Sequence, residues 1–149
     1  MLGLPRTSAA GMSFATAALS LLETDKKVTR DVVRVVVVED HDDTRTALQL
    51  LLGNDGYHVR TARDGHEAIP VIEEYQPLCV LLDLDMPQLS GVELADHVRR
   101  RYGTGTVLIV LTGSSRLEQL AAAESAGVDY VLHKPLDLAK LARMLPRIT

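Results

Sequence analysis

The apolar run Val80-Leu81-Leu82 stops at an acidic residue, Asp83. Two other apolar runs also end at polar residues. Val35 to Val38 is followed by Glu39-Asp40, and Tyr130 to Leu132 is followed by His133-Lys134-Pro135. Short, continuous apolar strands are typical of a parallel sheet that helices cover on both faces, and ligands of such sheets bind beyond the carboxyl ends of the strands. We therefore expect these polar residues to meet at one site. Carboxylates and an ammonium group suit a divalent cation and a phosphoryl group better than a structural core.

The composition indicates one domain with an aliphatic core. The 149 residues are 46% hydrophobic but only 3% aromatic, which predicts parallel strands under helices rather than an aromatic-rich sandwich. We divide the chain into residues 1–31, an N-terminal extension that is flexible or loosely helical, and residues 32–149, a single compact domain. The apolar stretch from Phe14 to Leu22 is too short and too interrupted to span a bilayer, so we expect no membrane association.

The net charge and the cysteine content exclude several classes of protein. A formal net charge of -4 at pH 7 argues against nucleic acid as a direct partner. Cys79 is the single cysteine of the sequence, so we expect a packed thiol in a reducing, cytoplasmic compartment. The 5 histidines show no metal-binding spacing, and the sequence contains neither a CxxC pair nor an HExxH motif.

From Val32 onward, apolar runs alternate with helical patterns, which is typical of repeated βα units. The predicted strands cover residues 33–38, 58–62, 78–83, 106–112 and 129–133. The predicted helices cover residues 43–53, 65–75, 90–102, 115–126 and 137–145. Capping boxes are predicted where a short acceptor precedes a carboxylate by three residues, at Asp64, Ser90 and Ser115. Glycines after the helical patterns predict helix ends, and they are Gly53, Gly56, Gly103 and Gly127.

Four motifs, in order, resemble those of the receiver domain of bacterial two-component response regulators, over roughly Val33 to Leu145. They are Glu39-Asp40 after the first strand, Asp83-Leu84-Asp85-Met86-Pro87 with Gly91, Thr112-Gly113 after the fourth strand, and Lys134-Pro135 after the fifth. Each motif alone is weak, but their order and spacing at the ends of βα units are specific. The resemblance implies a flavodoxin-like (βα)5 fold, an α/β doubly wound parallel sheet with strand order 2-1-3-4-5.

The resemblance also implies a phosphoacceptor and a metal site. Asp83 would be the nucleophile that takes a phosphoryl group from a histidine of a sensor kinase or of a histidine phosphotransfer protein. Glu39, Asp40 and Asp83, together with the backbone carbonyl of Asp85, would supply the oxygen ligands that Mg²⁺ prefers.

The remaining motif residues would act on the phosphoryl group. Lys134 would pair with Asp83 before transfer and with a phosphoryl oxygen afterwards, while the Thr112 hydroxyl would donate to another oxygen. Gly113 would leave room for the phosphoryl group. In the family the lysine-proline peptide bond is usually cis, so we expect Lys134-Pro135 to be cis and the Lys134 side chain to turn inward.

The sequence departs from the family pattern in the fifth strand, where family members rearrange an aromatic side chain on phosphorylation. The usual aromatic residue in the middle of the fifth strand is replaced by Val131, and Tyr130 lies one residue earlier, on the opposite face of a strand. We therefore expect phosphorylation to shift the helix at 115–126 without an aromatic switch. Asp85 and Ser114 occupy the positions that influence the rate of autodephosphorylation in the family.

Because the sequence ends at Thr149, just after the last predicted helix, we expect a single-domain regulator without an output module. Such a protein is not an enzyme. It would signal by phosphorylation-dependent contact with a downstream protein or act as a relay intermediate, through the fourth helix, fifth strand and fifth helix. The alternative is that the chain is a fragment of a hybrid kinase. The sequence does not identify the downstream target, and it leaves open whether the protein forms a homodimer.

Other interpretations use the same residues. Glu39 and Asp40 could cap the following helix, Asp85 could be a turn residue, and Thr112 an ordinary strand end. A pseudo-receiver would use the fold only for protein contact and would not bind Mg²⁺. Asp83-Leu84-Asp85 also resembles the nucleophile motif of haloacid dehalogenase-like phosphatases. That family has Thr or Val at the position of Pro87 and its other metal-binding acids downstream, whereas the acidic pair here lies upstream.

Overall fold

The computed structural model of the protein describes residues 32–86, 89–113 and 116–148. Residues Val32–Arg147 form a compact unit. The predicted N-terminal extension, residues 1–31, lies outside the described residues, as do Pro87, Ser114 and Ser115. None of the helices in the described ranges is long and apolar enough to cross a membrane.

The described part of the chain contains one sheet of five strands, all paired in parallel. The strands are β1 (Arg34–Val38), β2 (His58–Ala62), β3 (Cys79–Asp83), β4 (Val107–Thr112) and β5 (Tyr130–His133). Their order in the sheet is β2-β1-β3-β4-β5, which confirms the predicted order and the predicted fold class. Every residue of the central strand β3 is buried, as its continuous apolar sequence predicts, because helices cover both of its faces.

Five α-helices connect and follow the strands in the described ranges. They are α1 (Asp42–Asn54), α2 (Gly65–Tyr75), α3 (Gly91–Tyr102), α4 (Leu117–Ser125) and α5 (Leu138–Met144). Alternate residues of each strand point to opposite faces, so Val36 and Val38 belong to one core cluster and Val35 and Val37 to another. The first cluster packs against α2, α3 and α4, and the second packs against α1 and α5.

The predicted element bounds agree with the structure to within two residues, with two corrections at helix ends. Gly53 does not end α1, because the helix continues to Asn54 and the left-handed residue is Gly56, at φ 102°. The N-cap of α4 is Arg116, whose side chain makes no capping hydrogen bond, so this helix does not begin at the predicted residue 115. The capping box at Ser90 with Glu93 is confirmed by both of its hydrogen bonds. At the start of α2, Asp64 accepts from the Glu67 N–H as predicted.

Arg99 fixes the end of the sheet opposite the polar strand ends. Its guanidinium donates to the carbonyls of Gly103, Thr106 and Gly127 at 2.9, 2.6 and 2.8 Å, and to Asp129 Oδ2 at 2.6 Å. Asp129 Oδ2 also accepts from the Leu108 N–H at 2.8 Å. These bonds connect the segments just before β4 and β5 to the end of α3, at the opposite end of the strands from Thr112 and Lys134.

Cys79, the first residue of β3, has a free and buried thiol, as predicted. Burial raises its pKa to about 12, so this thiol is not reactive at neutral pH.

Candidate phosphoacceptor site

The site is built around Asp83, the last residue of β3, which is only 2% exposed. Its Oδ1 accepts a hydrogen bond from the Asp85 N–H at 2.9 Å. The chain then turns into α3, whose first residue, Gly91, lies directly against this loop. A Cβ atom at position 91 would lie 2.7 Å from the Asp83 carbonyl oxygen and 2.8 Å from the Leu84 Cα. A glycine is therefore required here for close packing of the helix on the loop that begins at Asp83 and includes Leu84 and Asp85, the acceptor loop.

Lys134, the residue after β5, reaches across the sheet edge to two carboxylates. Its Nζ lies 3.3 Å from Asp83 Oδ2 and 3.5 Å from Glu39 Oε1. Burial lowers the pKa of this ammonium, but the charges of Asp83 and Glu39 outweigh burial, so the pKa is raised overall. Lys134 therefore stays charged at neutral pH. Its peptide bond with Pro135 is cis, as predicted.

Glu39 directly follows β1 and is fully buried. Its Oε2 accepts from the His41 N–H at 3.2 Å, whereas its Oε1 has no hydrogen-bond partner among the described residues. Burial raises the pKa of this carboxyl, and the nearby charge of Asp83 raises it further. Two buried carboxylates with one ammonium leave an excess of negative charge that a cation would neutralise.

The acidic pair brings a third donor group into the site. His41 Nδ1 lies 3.6 Å from Glu39 Oε2 and 3.7 Å from Asp40 Oδ1, and ligand atoms of these three residues all lie within 4.8 Å of one another. The buried Asp40 Oδ1 has no hydrogen-bond partner in the described residues. The donor set is dominated by carboxylate oxygens, two of them without hydrogen bonds, and it therefore fits Mg²⁺. Sequence reasoning missed His41, although its place beside the acidic pair was a usable signal.

Thr112 and Gly113 lie at the end of β4, next to Asp83 in the sheet. Thr112 is fully buried, and its carbonyl accepts from the Lys134 N–H at 2.8 Å. The Leu84 N–H donates to the Leu111 carbonyl at 2.8 Å, so the ends of three adjacent strands are tied together. A Cβ atom on Gly113 would meet no described atom within 4 Å, which agrees with the expected open space at this position.

The six predicted site residues are thus placed along one edge of the sheet. Glu39, Asp83 and Lys134 are in direct contact, as the ion pairs and the charge interaction of Glu39 with Asp83 show. Asp40 lies in the adjoining acidic group, Asp85 hydrogen-bonds to Asp83 through its backbone, and Thr112 joins Lys134 through its backbone. The six residues come from the carboxyl ends of four strands, β1, β3, β4 and β5, and the parallel topology brings these four strand ends to the same edge of the sheet.

A second residue that sequence reasoning missed is Gln119, on the first turn of α4. Its Nε2 donates to Asp85 Oδ1 at 2.8 Å. A glutamine on a helix carries no sequence signal for such a contact. At β5, Tyr130 is 43% exposed at the first position of the strand and Val131 is half-buried, so no residue of this strand presents a buried aromatic ring.

The comparisons with known proteins agree with this architecture. Residues 35–146 match the response regulator receiver domain family. The response regulator MprA of Mycolicibacterium vanbaalenii is 38% identical over 113 residues, which cover 75% of this chain and 48% of the relative. MprA of Mycobacterium tuberculosis is 39% identical over 115 residues, covering 75% of this chain and 49% of the relative. The chain therefore spans about half the length of the curated relatives that it matches.

Solved structures show the same relationship. The chemotaxis protein CheY4 of Vibrio cholerae has a TM-score of 0.71 at 28% identity, covering 77% of this chain and 100% of that chain. The signal receiver domain of an HD domain-containing protein from Pseudomonas fluorescens Pf-5 has a TM-score of 0.73 at 26% identity, covering 76% of this chain and 91% of that chain. With the match over residues 35–146, these findings show that the chain belongs to the response regulator receiver domain family of two-component signalling systems.

Proposed function

We propose that this domain accepts a phosphoryl group on Asp83, in a Mg²⁺-dependent reaction, from a sensor histidine kinase or a histidine phosphotransfer protein. The observation that carries the proposal is the contact of the Lys134 ammonium with both Asp83 and Glu39, at 3.3 and 3.5 Å. A structural ion pair needs one carboxylate for one ammonium. The additional buried carboxylate, with an oxygen that lacks a hydrogen bond, supports a site meant for a cation.

In the proposed reaction, Asp83 Oδ attacks the phosphorus of a phosphohistidine. A P–O bond to Asp83 forms while the P–N bond breaks, and its electron pair returns to the imidazole of the donor. Lys134 then exchanges its bond to Asp83 for one to a phosphoryl oxygen, and the Thr112 hydroxyl donates to another. The open space beside Gly113 accommodates the added group.

Mg²⁺ would neutralise charge on the transferred group and relieve the repulsion between carboxylates. Glu39, Asp40 and Asp83, with the backbone carbonyl of Asp85, would hold the ion. The domain would then signal by phosphorylation-dependent contact with a downstream protein or pass the phosphoryl group on in a relay. In either role Asp83 takes one phosphoryl group and releases it slowly, unlike a phosphatase that turns over a phosphomonoester many times.

The test is intact-protein mass spectrometry after incubation with acetyl phosphate, with and without Mg²⁺. Wild type is expected to gain one phosphoryl mass only with Mg²⁺. Asp83→Asn, which is nearly isosteric, is expected to gain none while keeping its circular dichroism spectrum. Asp96→Asn is the matched control, because Asp96 pairs with Arg100 on the exposed side of α3 and should not affect transfer.

Two other outcomes would point to the alternatives. A wild-type protein that takes no phosphoryl group and shows no Mg²⁺ binding by calorimetry would be a pseudo-receiver. Repeated release of inorganic phosphate from a phosphomonoester would indicate a phosphatase of the haloacid dehalogenase type. Phosphate on Asp83→Asn would refute the assignment of the acceptor.

A further inference from the structure

A continuous series of hydrogen bonds leads from the acceptor carboxylate to the first turn of α4. The Asp85 N–H donates to Asp83 Oδ1 at 2.9 Å, and Gln119 Nε2 donates to Asp85 Oδ1 at 2.8 Å. Arg116 Nη2 donates to Gln119 Oε1 at 3.4 Å. Asp85 is thereby held at both ends, by its backbone to the acceptor and by its side chain to a helix 34 residues away in sequence.

The chemistry of these groups orients the Gln119 amide. A carboxylate accepts hydrogen bonds only, so the NH₂ group must face Asp85, and a guanidinium donates only, so the carbonyl must face Arg116. A glutamine can donate a hydrogen bond to Asp85 and accept one from Arg116 at the same time. A glutamate would repel Asp85, and a leucine would form neither hydrogen bond. Gln119 itself is half-buried, between two exposed partners.

A phosphoryl group on Asp83 would disturb this arrangement from the acceptor side. It adds close to two negative charges beside the Asp85 carboxylate, which like charge repels. Because the Asp85 side chain is held by Gln119, the repulsion would act on the first turn of α4. This route does not need an aromatic residue in β5, where Tyr130 is exposed and Val131 occupies the middle of the strand.

We propose that Gln119 is a positioning residue that acts through Asp85, tying α4 to the acceptor loop and lengthening the lifetime of the phosphoryl group. The inference rests on the proposed phosphorylation of Asp83. Held by Gln119, the Asp85 carboxylate faces α4. Once released, it is free to accept a hydrogen bond from a water molecule beside the phosphoryl group and to orient that water for attack on the phosphorus. The P–O bond to Asp83 then breaks, Asp83 regains its carboxylate, and the oxygen and both hydrogens of the water leave with inorganic phosphate.

The first experiment measures hydrogen exchange of the α4 amides in the unphosphorylated protein. Gln119→Leu and Asp85→Ala are each expected to speed exchange in α4 by about two- to tenfold, the range set by one partly exposed hydrogen bond. The double variant should show no additional change, because both substitutions break the same contact. The matched control is Gln49→Leu on the exposed side of α1, which should leave α4 unchanged.

The second experiment measures the decay of phosphorylated protein by mass spectrometry after removal of acetyl phosphate. Gln119→Leu should shorten the lifetime by about two- to tenfold, and the same substitution should have no effect in the Asp85→Ala background. Additive effects of the two substitutions, or no effect of either on α4 exchange, would overturn the inference. If wild type takes no phosphoryl group, the proposed function and the lifetime effect both fail, while the exchange experiment still decides whether Gln119 ties α4 to Asp85.

Discussion

The ammonium of Lys134 lies 3.3 Å from Asp83 Oδ2, although Asp83 ends β3 and Lys134 follows β5, two strands that are not neighbours in the sheet. β4 lies between β3 and β5; its Leu111 is paired with Asp83, and its last residue, Thr112, is paired with His133 at the end of β5. The contact spans the full width of β4 at the edge where the carboxyl ends of the strands meet. The ion pair therefore bridges the end of β4, and the charge of Lys134 is available to a group bound at Asp83.

Removal of the Lys134 charge should impair phosphoryl transfer more than folding. We expect Lys134→Ala to slow phosphorylation by acetyl phosphate at least about tenfold, since a charge-assisted contact in a shielded site contributes roughly 1.5–3 kcal/mol. The loss of positive charge beside Glu39 and Asp83 should also lower metal-free stability, and Mg²⁺ should restore part of it. Rates come from mass spectrometry and stability from urea titration. Lys140→Ala, an exposed change on α5, should alter neither quantity.

The raised pKa of Glu39 should make the stability of the metal-free protein depend on pH. Burial raises the pKa of Glu39 in the folded protein above its usual value of 4.5, so the folded state binds a proton more tightly than the unfolded state. Stability should consequently fall as pH rises from 4.5 through the raised pKa. Glu39→Gln should remove this fall and stabilise the metal-free protein at neutral pH by on the order of 1 kcal/mol.

The measurement is denaturation in EDTA across this pH range. Glu118→Gln, an exposed acidic position on α4, serves as the control and should leave the profile unchanged. A Glu39→Gln protein with the same pH profile as wild type would show that Glu39 is not the group that responds.

Mg²⁺ should stabilise the folded protein through the acidic pair. At a free Mg²⁺ concentration of about 100 times the dissociation constant, binding to the folded state alone would add about 2.7 kcal/mol. Asp40→Asn should abolish most of this gain, because the buried Asp40 Oδ1 lacks a hydrogen-bond partner and is free to bind the ion. Thermal denaturation with and without Mg²⁺ measures the effect. Asp43→Asn, an exposed neighbour on α1, should respond to Mg²⁺ like wild type.

Gly91 should not tolerate a side chain. An alanine Cβ at this position would lie 2.7 Å from the Asp83 carbonyl oxygen, so α3 must move away from the acceptor loop. We expect Gly91→Ala to destabilise the domain by about 1–3 kcal/mol and to slow phosphorylation. Gly53→Ala is the matched control within a helix: its Cβ would meet no atom within 4 Å, and it should stabilise the domain by about 0.5–1 kcal/mol. Equal stability of the two variants would contradict the close packing at Gly91.

The sequence already determined the alternation of strands and helices, the strand order through the resemblance, and the identity of the acidic and basic strand-end residues. These follow from local patterns: continuous apolar runs, capping residues such as Ser90, and the fixed geometry of parallel βα units. The predicted end of the first helix at Gly53 and the predicted start of the fourth at residue 115 were wrong, because helix termini depend on backbone hydrogen bonds that the local sequence does not fix.

Only the tertiary structure decided which groups touch. Whether Lys134 meets one carboxylate or two, whether Glu39 is buried, and which helix holds the Asp85 side chain depend on strand register and on side-chain packing between segments far apart in sequence. His41 and Gln119 show the difference. The first stands beside a recognisable acidic pair, whereas the second has no local signal at all, because its partner lies 34 residues away and only the packing of α4 beside the acceptor loop brings the two together.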